Sequence, residues 1–204
     1  MNDKGERLQP NAKAGDIRFK DVTGDGVIDE DDKEYCGTGI PKFETNLNFS
    51  ASYKGFDLSF SLSGVFGHKI YNGNRYFYES MNAPINMLST VVNAWTPENT
   101  HTDIPRAVNG DPNGNSRESE RFLENGSFVR LRQAQIGYTL PVSLLKKVKI
   151  EKLRFYISGD NLFTITGYSG VDPEFSTSSP LNSGVDRYIY PFTRSYTVGA
   201  QLTF

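Results

Sequence analysis

The chain has 204 residues, a formal net charge of −2, and 37% hydrophobic, 13% aromatic and 23% charged residues. That length suits one domain or two small ones. The balanced charge gives no electrostatic reason to expect a nucleic-acid partner, and no apolar run approaches the roughly 18–20 residues of a membrane-spanning helix. Aliphatic residues are sparse while Tyr, Phe, Ser, Asn and Gly are abundant, whereas a packed core prefers Leu, Ile and Val. Helical bundles are disfavoured. A membrane β-barrel stays open, because its signal is alternation and not a run.

The first residues, MNDKGERLQP, are polar and hold no secretory signal core. Residues 1–42 read as irregular, around one acidic loop at 21–32, DVTGDGVIDEDD. Set against a twelve-position calcium loop, Asp21, Thr23, Asp25, Asp29 and Asp32 offer side-chain oxygens at positions 1, 3, 5, 9 and 12. Val27 would offer its carbonyl at position 7, Gly26 suits the sharp turn at position 6, and Ile28 would point inward. A hard cation needs such converging oxygens. Thr23 stands where Asp or Asn is usual, and Asp32 stands where a longer Glu chelates with both oxygens. The flanks do not read as two long helices. One lone loop holding Ca2+ weakly is expected, against the alternative of a solvated acidic turn.

Strict alternation follows. From 43 to 53, Phe43, Thr45, Leu47, Phe49, Ala51 and Tyr53 alternate with Glu44, Asn46, Asn48, Ser50 and Ser52. Successive strand residues face opposite ways, so one face is apolar and the other polar. The pattern returns at 56–66, after only Lys54 and Gly55, which predicts a tight hairpin with Gly55 at positive φ. A third strand is expected at 127–140, with Ala134, Ile136, Tyr138 and Leu140 on one side. Val129 and Leu131 have the opposite parity, which either a bulge or an end beyond the apolar slab would reconcile. Strands at 152–163 and 194–204 complete the set of five.

The connections alternate in length. Residues 54–55 and 141–151 are short; 67–126 and 164–193 are long. Short turns on one side and long loops on the other are the habit of outer-membrane barrels. The long loop predicts a short helix at 86–95, closed by Pro97, and carries Tyr71, Tyr76, Phe77, Tyr78 and Trp95. Flat aromatic faces stack on sugar rings and anchor interfaces; the competing reading is that they pack the loop against itself. Cys36 is the single cysteine, so no intrachain disulfide forms, and it reads as an incidental thiol. His68 and His101 lack metal-ligand spacing and read as surface residues. No nucleophile-elbow, zinc-protease, phosphate-loop or dinucleotide motif is present, so nothing selects an enzyme. Alternation alone leaves both a membrane barrel and a soluble β-sandwich open.

Six blocks, in order, resemble one family: GDIRFKDVTGDGVIDEDDK (15–33), GTGIPKFETNL (37–47), YKGFDLS (53–59), SFVRLRQAQIGYTLP (127–141), LRFYISGDNLFTITGYSGVDPE (153–174) and YPFTRSYTVGAQLTF (190–204). They look like the C-terminal part of SusC/RagA-like TonB-dependent transporters of the outer membrane of Bacteroidetes-type bacteria. The resemblance implies an all-β fold: the last five antiparallel strands of a large up-and-down transmembrane barrel of about 22 strands. Five strands cannot close alone, since about eight is the smallest usual number, so a fragment is expected. On this reading 1–42, 67–126 and 164–193 are extracellular, and 54–55 and 141–151 periplasmic. Tyr196, Val198, Ala200, Leu202 and Phe204 match the alternating terminal strand read by the barrel assembly machinery.

The partners implied by the resemblance are a SusD-like surface lipoprotein, outer-membrane lipid, an oligosaccharide or peptide substrate, and the TonB complex through a missing N-terminal part. Asp172, Pro173 and Glu174 form a family-like block for which the residues suggest only a structural turn. The other class of function is a soluble calcium-binding β-sandwich used in adhesion or glycan binding. It accounts for the acidic loop and the alternation, but not for the loop rhythm or the terminal aromatic strand.

Overall fold

The computed structural model describes residues 5, 7–146, 150–175 and 182–204; parts of the 141–151 turn and the 164–193 loop lie outside them. The five long strands are β1 (Phe43–Tyr53), β2 (Phe56–Phe66), β5 (Phe128–Thr139), β6 (Lys152–Thr166) and β8 (Ser195–Thr203). They form one antiparallel sheet in the order β1-β2-β5-β6-β8. The sheet does not close: β1 and β8 are its two edges. Short strands β3 (Lys69–Asn72), β4 (Leu123–Asn125) and β7 (Val185–Asp186) form a second sheet, in the order β4-β3-β7.

The β1–β2 hairpin turns on Lys54 at φ 47° and Gly55 at φ 88°. Two successive positive-φ residues make the turn whose twist matches the flanking strands. The register then pairs Tyr53 with Phe56 and Phe49 with Phe60. Aromatic partners stack across strands: the rings of Phe49 and Phe60 lie 5.1 Å apart, and those of Phe56 and Tyr138 lie 4.5 Å apart. Such pairs stabilise a sheet by roughly 0.2–1 kcal/mol each.

The parity break in β5 is a bulge. Ser61 pairs with Gln133, but Leu62 pairs with Leu131, leaving Arg132 as the extra residue. Leu131 and Val129 thereby return to the face of Ala134 and Ile136. Leu58, Ile136, Ile157 and Val198 lie in register across four strands, with Phe49 and Phe155 on the same face. That face is bare: Ile136 is 52% exposed, Ile157 55% and Val198 80%. An apolar area of this extent is not stable in water.

The opposite face is polar and tied by charge. Arg154 of β6 reaches over β5 to Asp57 of β2, with Nε donating to Oδ1 at 2.9 Å. Gly137 lies beneath this bridge, and any Cβ there would collide with both partners.

The residues group into two units. The first comprises 1–37, 71–123 and 186–188, and buries Met81, Ile104 and Phe122. The second comprises 38–70, 124–185 and 189–204; it contains the long sheet and buries Ile70, Phe128, Leu145 and Tyr168. Two short helices escape the alternation pattern: α1 (Gly73–Tyr78), capped by Asn72 on the Arg75 N–H, and α2 (Val142–Leu145). The helix expected at 86–95 is only a 3-10 turn, Ser89–Asn93, with no side-chain cap. β-Branched Thr90, Val91 and Val92 hold it to that short form.

Candidate functional site

In the acidic loop Gly24 and Gly26 take φ of 76° and 84°. Asp21 accepts the Gly24 N–H at 2.6 Å and the Gly26 N–H at 3.0 Å. Asp32 accepts from the Val22 and Thr23 N–H groups through Oδ1, and from Asp29 through Oδ2. The Thr23 hydroxyl lies 3.4 Å from Asp21 Oδ1 and 3.3 Å from Asp32 Oδ1, so positions 1, 3 and 12 come together. Asp25 and Asp29 instead hold the Val27 and Asp31 N–H groups at 2.9 Å. Val27 is exposed and Ile28 half-buried. Among the described residues no group of three or more His, Cys, Asp or Glu is placed to hold a metal ion.

The rest of the first unit is pinned by polar networks without a motif in the sequence. Arg106 grips Asp16 with two bonds, at 2.7 and 3.0 Å, and the Asp16 side chain is fully buried. Burial pushes that carboxyl up, but the bonds from Arg106 and Asn115 outweigh it and hold it below its ordinary value. Glu79, 1% exposed, receives Arg75 at 3.0 Å, Arg121 at 3.0 Å and the Thr90 hydroxyl at 2.9 Å.

The five aromatics of the long loop do not act as one set. Tyr71 and Tyr76 pack on the buried Phe122, with ring centroids 6.1 and 5.4 Å from it. Trp95 is half-buried against Gly15, where a Cβ would strike its ring. Phe77 is exposed and lies edge-on to Tyr78 and to the exposed Tyr188. Tyr188 escaped sequence reasoning because it is more than a hundred residues away; its own signal is a positive φ of 59° on a bulky residue.

In the second unit the 172–174 block has a role. Asp172 pairs with Arg130, whose side chain is 2% exposed. Glu174 pairs with Arg132 at 2.7 Å and with Arg130 at 3.3 Å. Asp172 also accepts the N–H of Glu174 at 2.9 Å and that of Phe192 at 3.1 Å. The carboxylates are therefore more than a turn: they clasp both ends of the loop after β6 to the β5 strand. His68, expected at the surface, is 7% exposed instead. Gly126 packs on its ring so closely that any side chain there would collide. On β8, Tyr196, Val198 and Leu202 stand exposed on the bare face in register with Gly159, Ile157 and Leu153; Ala200 pairs with Phe155, and Phe204 follows the strand.

An unclosed antiparallel sheet with one bare apolar face and one charged face fits a segment of a transmembrane β-barrel. The comparisons agree. No family model matches the chain. The TonB-dependent receptor P3 of Formosa agariphila is 34% identical over 203 residues, covering 97% of this chain and 20% of that protein. The TonB-dependent receptor SusC of Bacteroides thetaiotaomicron is 27% identical over 196 residues, 95% of this chain and 18% of that protein. The RagAB peptide importer in its closed-closed state superposes with a TM-score of 0.70 at 32% identity, covering 83% of this chain and 18% of that one. The chain is similar over nearly its whole length to TonB-dependent receptors, SusC among them, and spans about a fifth of the length of the curated relatives it matches.

Two outcomes follow from the ionic contacts. Arg130→Met strands the Asp172 carboxylate, and loss of one partner of a buried pair costs about 3–5 kcal/mol. Denaturant unfolding in detergent should show that loss, with partial recovery when Asp172→Asn is added. In the acidic loop, the Asp29 and Thr23 N–H groups hold the Asp32 carboxyl below its ordinary 3.8, with burial opposing. A depressed carboxyl stabilises the folded loop above its unfolded pKa and ceases to as pH falls through the folded one. Amide-exchange protection of Val22 and Thr23 should thus be flat above pH of about 4 and fall below it, and Asp32→Asn should remove the dependence.

Proposed function

We propose that this chain is a membrane-embedded segment of a TonB-dependent importer in the bacterial outer membrane, moving a large polar nutrient and working with a SusD-like surface lipoprotein. The observation that carries the reading is the bare row from Leu58 to Val198 in a chain that matches TonB-dependent receptors over nearly its whole length. Lipid is the solvent that such a face requires, and the polar face would line a wet lumen. The work is binding and movement rather than catalysis. Phe77 and Tyr188 are loop aromatics that keep exposed surface to offer a substrate or partner.

Cysteine accessibility in outer-membrane vesicles tests this, in the transporter carrying this sequence with Cys36→Ser. Cysteines at Phe49, Ile157 and Val198 should react with a lipophilic maleimide and resist a charged aqueous one. Those at Asn48, Ser158 and Thr197 should do the reverse. Equal aqueous reaction at both sets would reject the membrane reading.

For the acidic loop we propose weak calcium binding at 21–32. The convergence of Asp21, Thr23 and Asp32 around the left-handed Gly26 supports it. Binding would draw Asp25 and Asp29 off the N–H groups they now hold. Calorimetry should give a saturable heat at millimolar calcium that Asp21→Ala and Asp25→Ala both abolish. A flat titration rejects the site.

A further inference from the structure

One row of the polar face runs Asp57, Gly137, Tyr156, Gly199 across β2, β5, β6 and β8. Gly137 is the single glycine of β5 and Gly199 that of β8, and they flank Tyr156 on either side. Side chains of β6 fill both spaces. A Cβ on Gly199 would lie 2.4 Å from Cζ of the Tyr156 ring and 2.5 Å from its hydroxyl oxygen. A Cβ on Gly137 would lie 2.5 Å from a terminal nitrogen of Arg154, which passes over it to Asp57. The Arg154 guanidinium stands 5.1 Å from the centre of the Tyr156 ring, within reach of a cation–π contact.

Alternation leaves one pairing error open. A slip of one residue turns every side chain to the wrong face, but a slip of two restores the faces. In the β1–β2 pair the two-residue turn excludes it. β6 and β8 share no such turn, since residues 167–194 lie between them. The contact at the start of β8 does not exclude it either: the Ser195 hydroxyl donates to Asp160 at 2.5 Å, and after a slip Thr197 would bring the same group to that place. Gly199 differs. A slip of two sets Thr197 or Gln201 opposite Tyr156, and either would put a Cβ where the ring now lies.

We propose that Tyr156 and Gly199 form a register lock for β8. The ring seats only against a residue without a side chain, and so selects one pairing among those that alternation permits. Arg154 is a positioning residue: tied to Asp57 across Gly137, it holds the Tyr156 ring from the far side and carries the lock over β5 to β2. Aromatic rings set over strand glycines pin register in other sheets. The lock concerns strand pairing alone and does not depend on what the transporter carries or on the solvent at the apolar face.

Disulfide cross-linking reads the register directly. In a cysteine-free form of the transporter carrying this sequence, Ile157→Cys with Val198→Cys reports the pairing seen here. Ile157→Cys with Ala200→Cys, or with Tyr196→Cys, reports a slip of two in one direction or the other. Diagonal partners lie about 7–8 Å apart, beyond the reach of a disulfide, so the three reporters do not overlap. Oxidation should close only the first pair while Tyr156 and Gly199 are present. Tyr156→Ala and Gly199→Val should each move part of the yield to a slipped pair, and Tyr156→Phe, which keeps the ring, should not. Moving the glycine is the sharper arm: Gly199→Gln with Gln201→Gly should shift the yield to the Ile157→Cys and Ala200→Cys pair. Should Gly199→Val fail to fold, Gly199→Ala carries the same expected shift. Native pairing in every variant, or slippage in Tyr156→Phe equal to that in Tyr156→Ala, overturns the proposal. The membrane reading is judged separately by its own accessibility pattern.

Discussion

A β-sheet has two faces, and among the described residues the apolar one of this sheet stands exposed. The row of Leu58, Ile136, Ile157 and Val198 crosses four strands and stands exposed. This follows from the period of two: every second residue of an extended strand points the same way, so alternating sequence separates apolar from polar side chains completely. In water the arrangement would aggregate. At a lipid boundary it is the stable one, because all backbone groups inside the sheet are paired and only side chains meet the hydrocarbon.

Few apolar side chains are buried among the described residues, and within each unit ionic and amide networks stand beside them. Arg130 and Arg132 hold Asp172 and Glu174 in one unit; Arg75 and Arg121 hold Glu79, and Arg106 holds Asp16, in the other. Buried ion pairs gain little over well-packed apolar residues, because desolvation consumes most of the attraction. They do impose geometry: a forked guanidinium donates to carboxylates in few arrangements. The clasps thus set where the loops lie.

Legibility tracked the range of the interaction. The hairpin at Lys54–Gly55 was readable because positive φ is a property of single residues, and the long strands because alternation is local. The reversal between Leu131 and Ala134 announced an irregularity without its nature; cross-strand register decided for a bulge at Arg132. In the acidic loop, Gly26 adopts the expected turn and Asp21, Thr23 and Asp32 converge, while Asp25 and Asp29 bond their own neighbours two residues on. Short-range Asx bonding competes with any longer-range arrangement, and spacing alone cannot rank the two. The loop aromatics were visible as a group, yet Tyr71 and Tyr76 pack inward on Phe122 and the exposed Tyr188 was missed.

From sequence alone came the strand set, the two-faced sheet and the family that the blocks resemble. These depend on periodicity and on ordered motifs, which survive without coordinates. Tertiary structure decided what the charged residues do. The 172–174 block reads as a turn until Arg130 is found 42 residues away, and His68 reads as a surface residue until Gly126 is found on its ring. No local pattern encodes such meetings. They arise when a register brings distant side chains to one spot, where desolvation makes each unpaired charge expensive enough to select its partner.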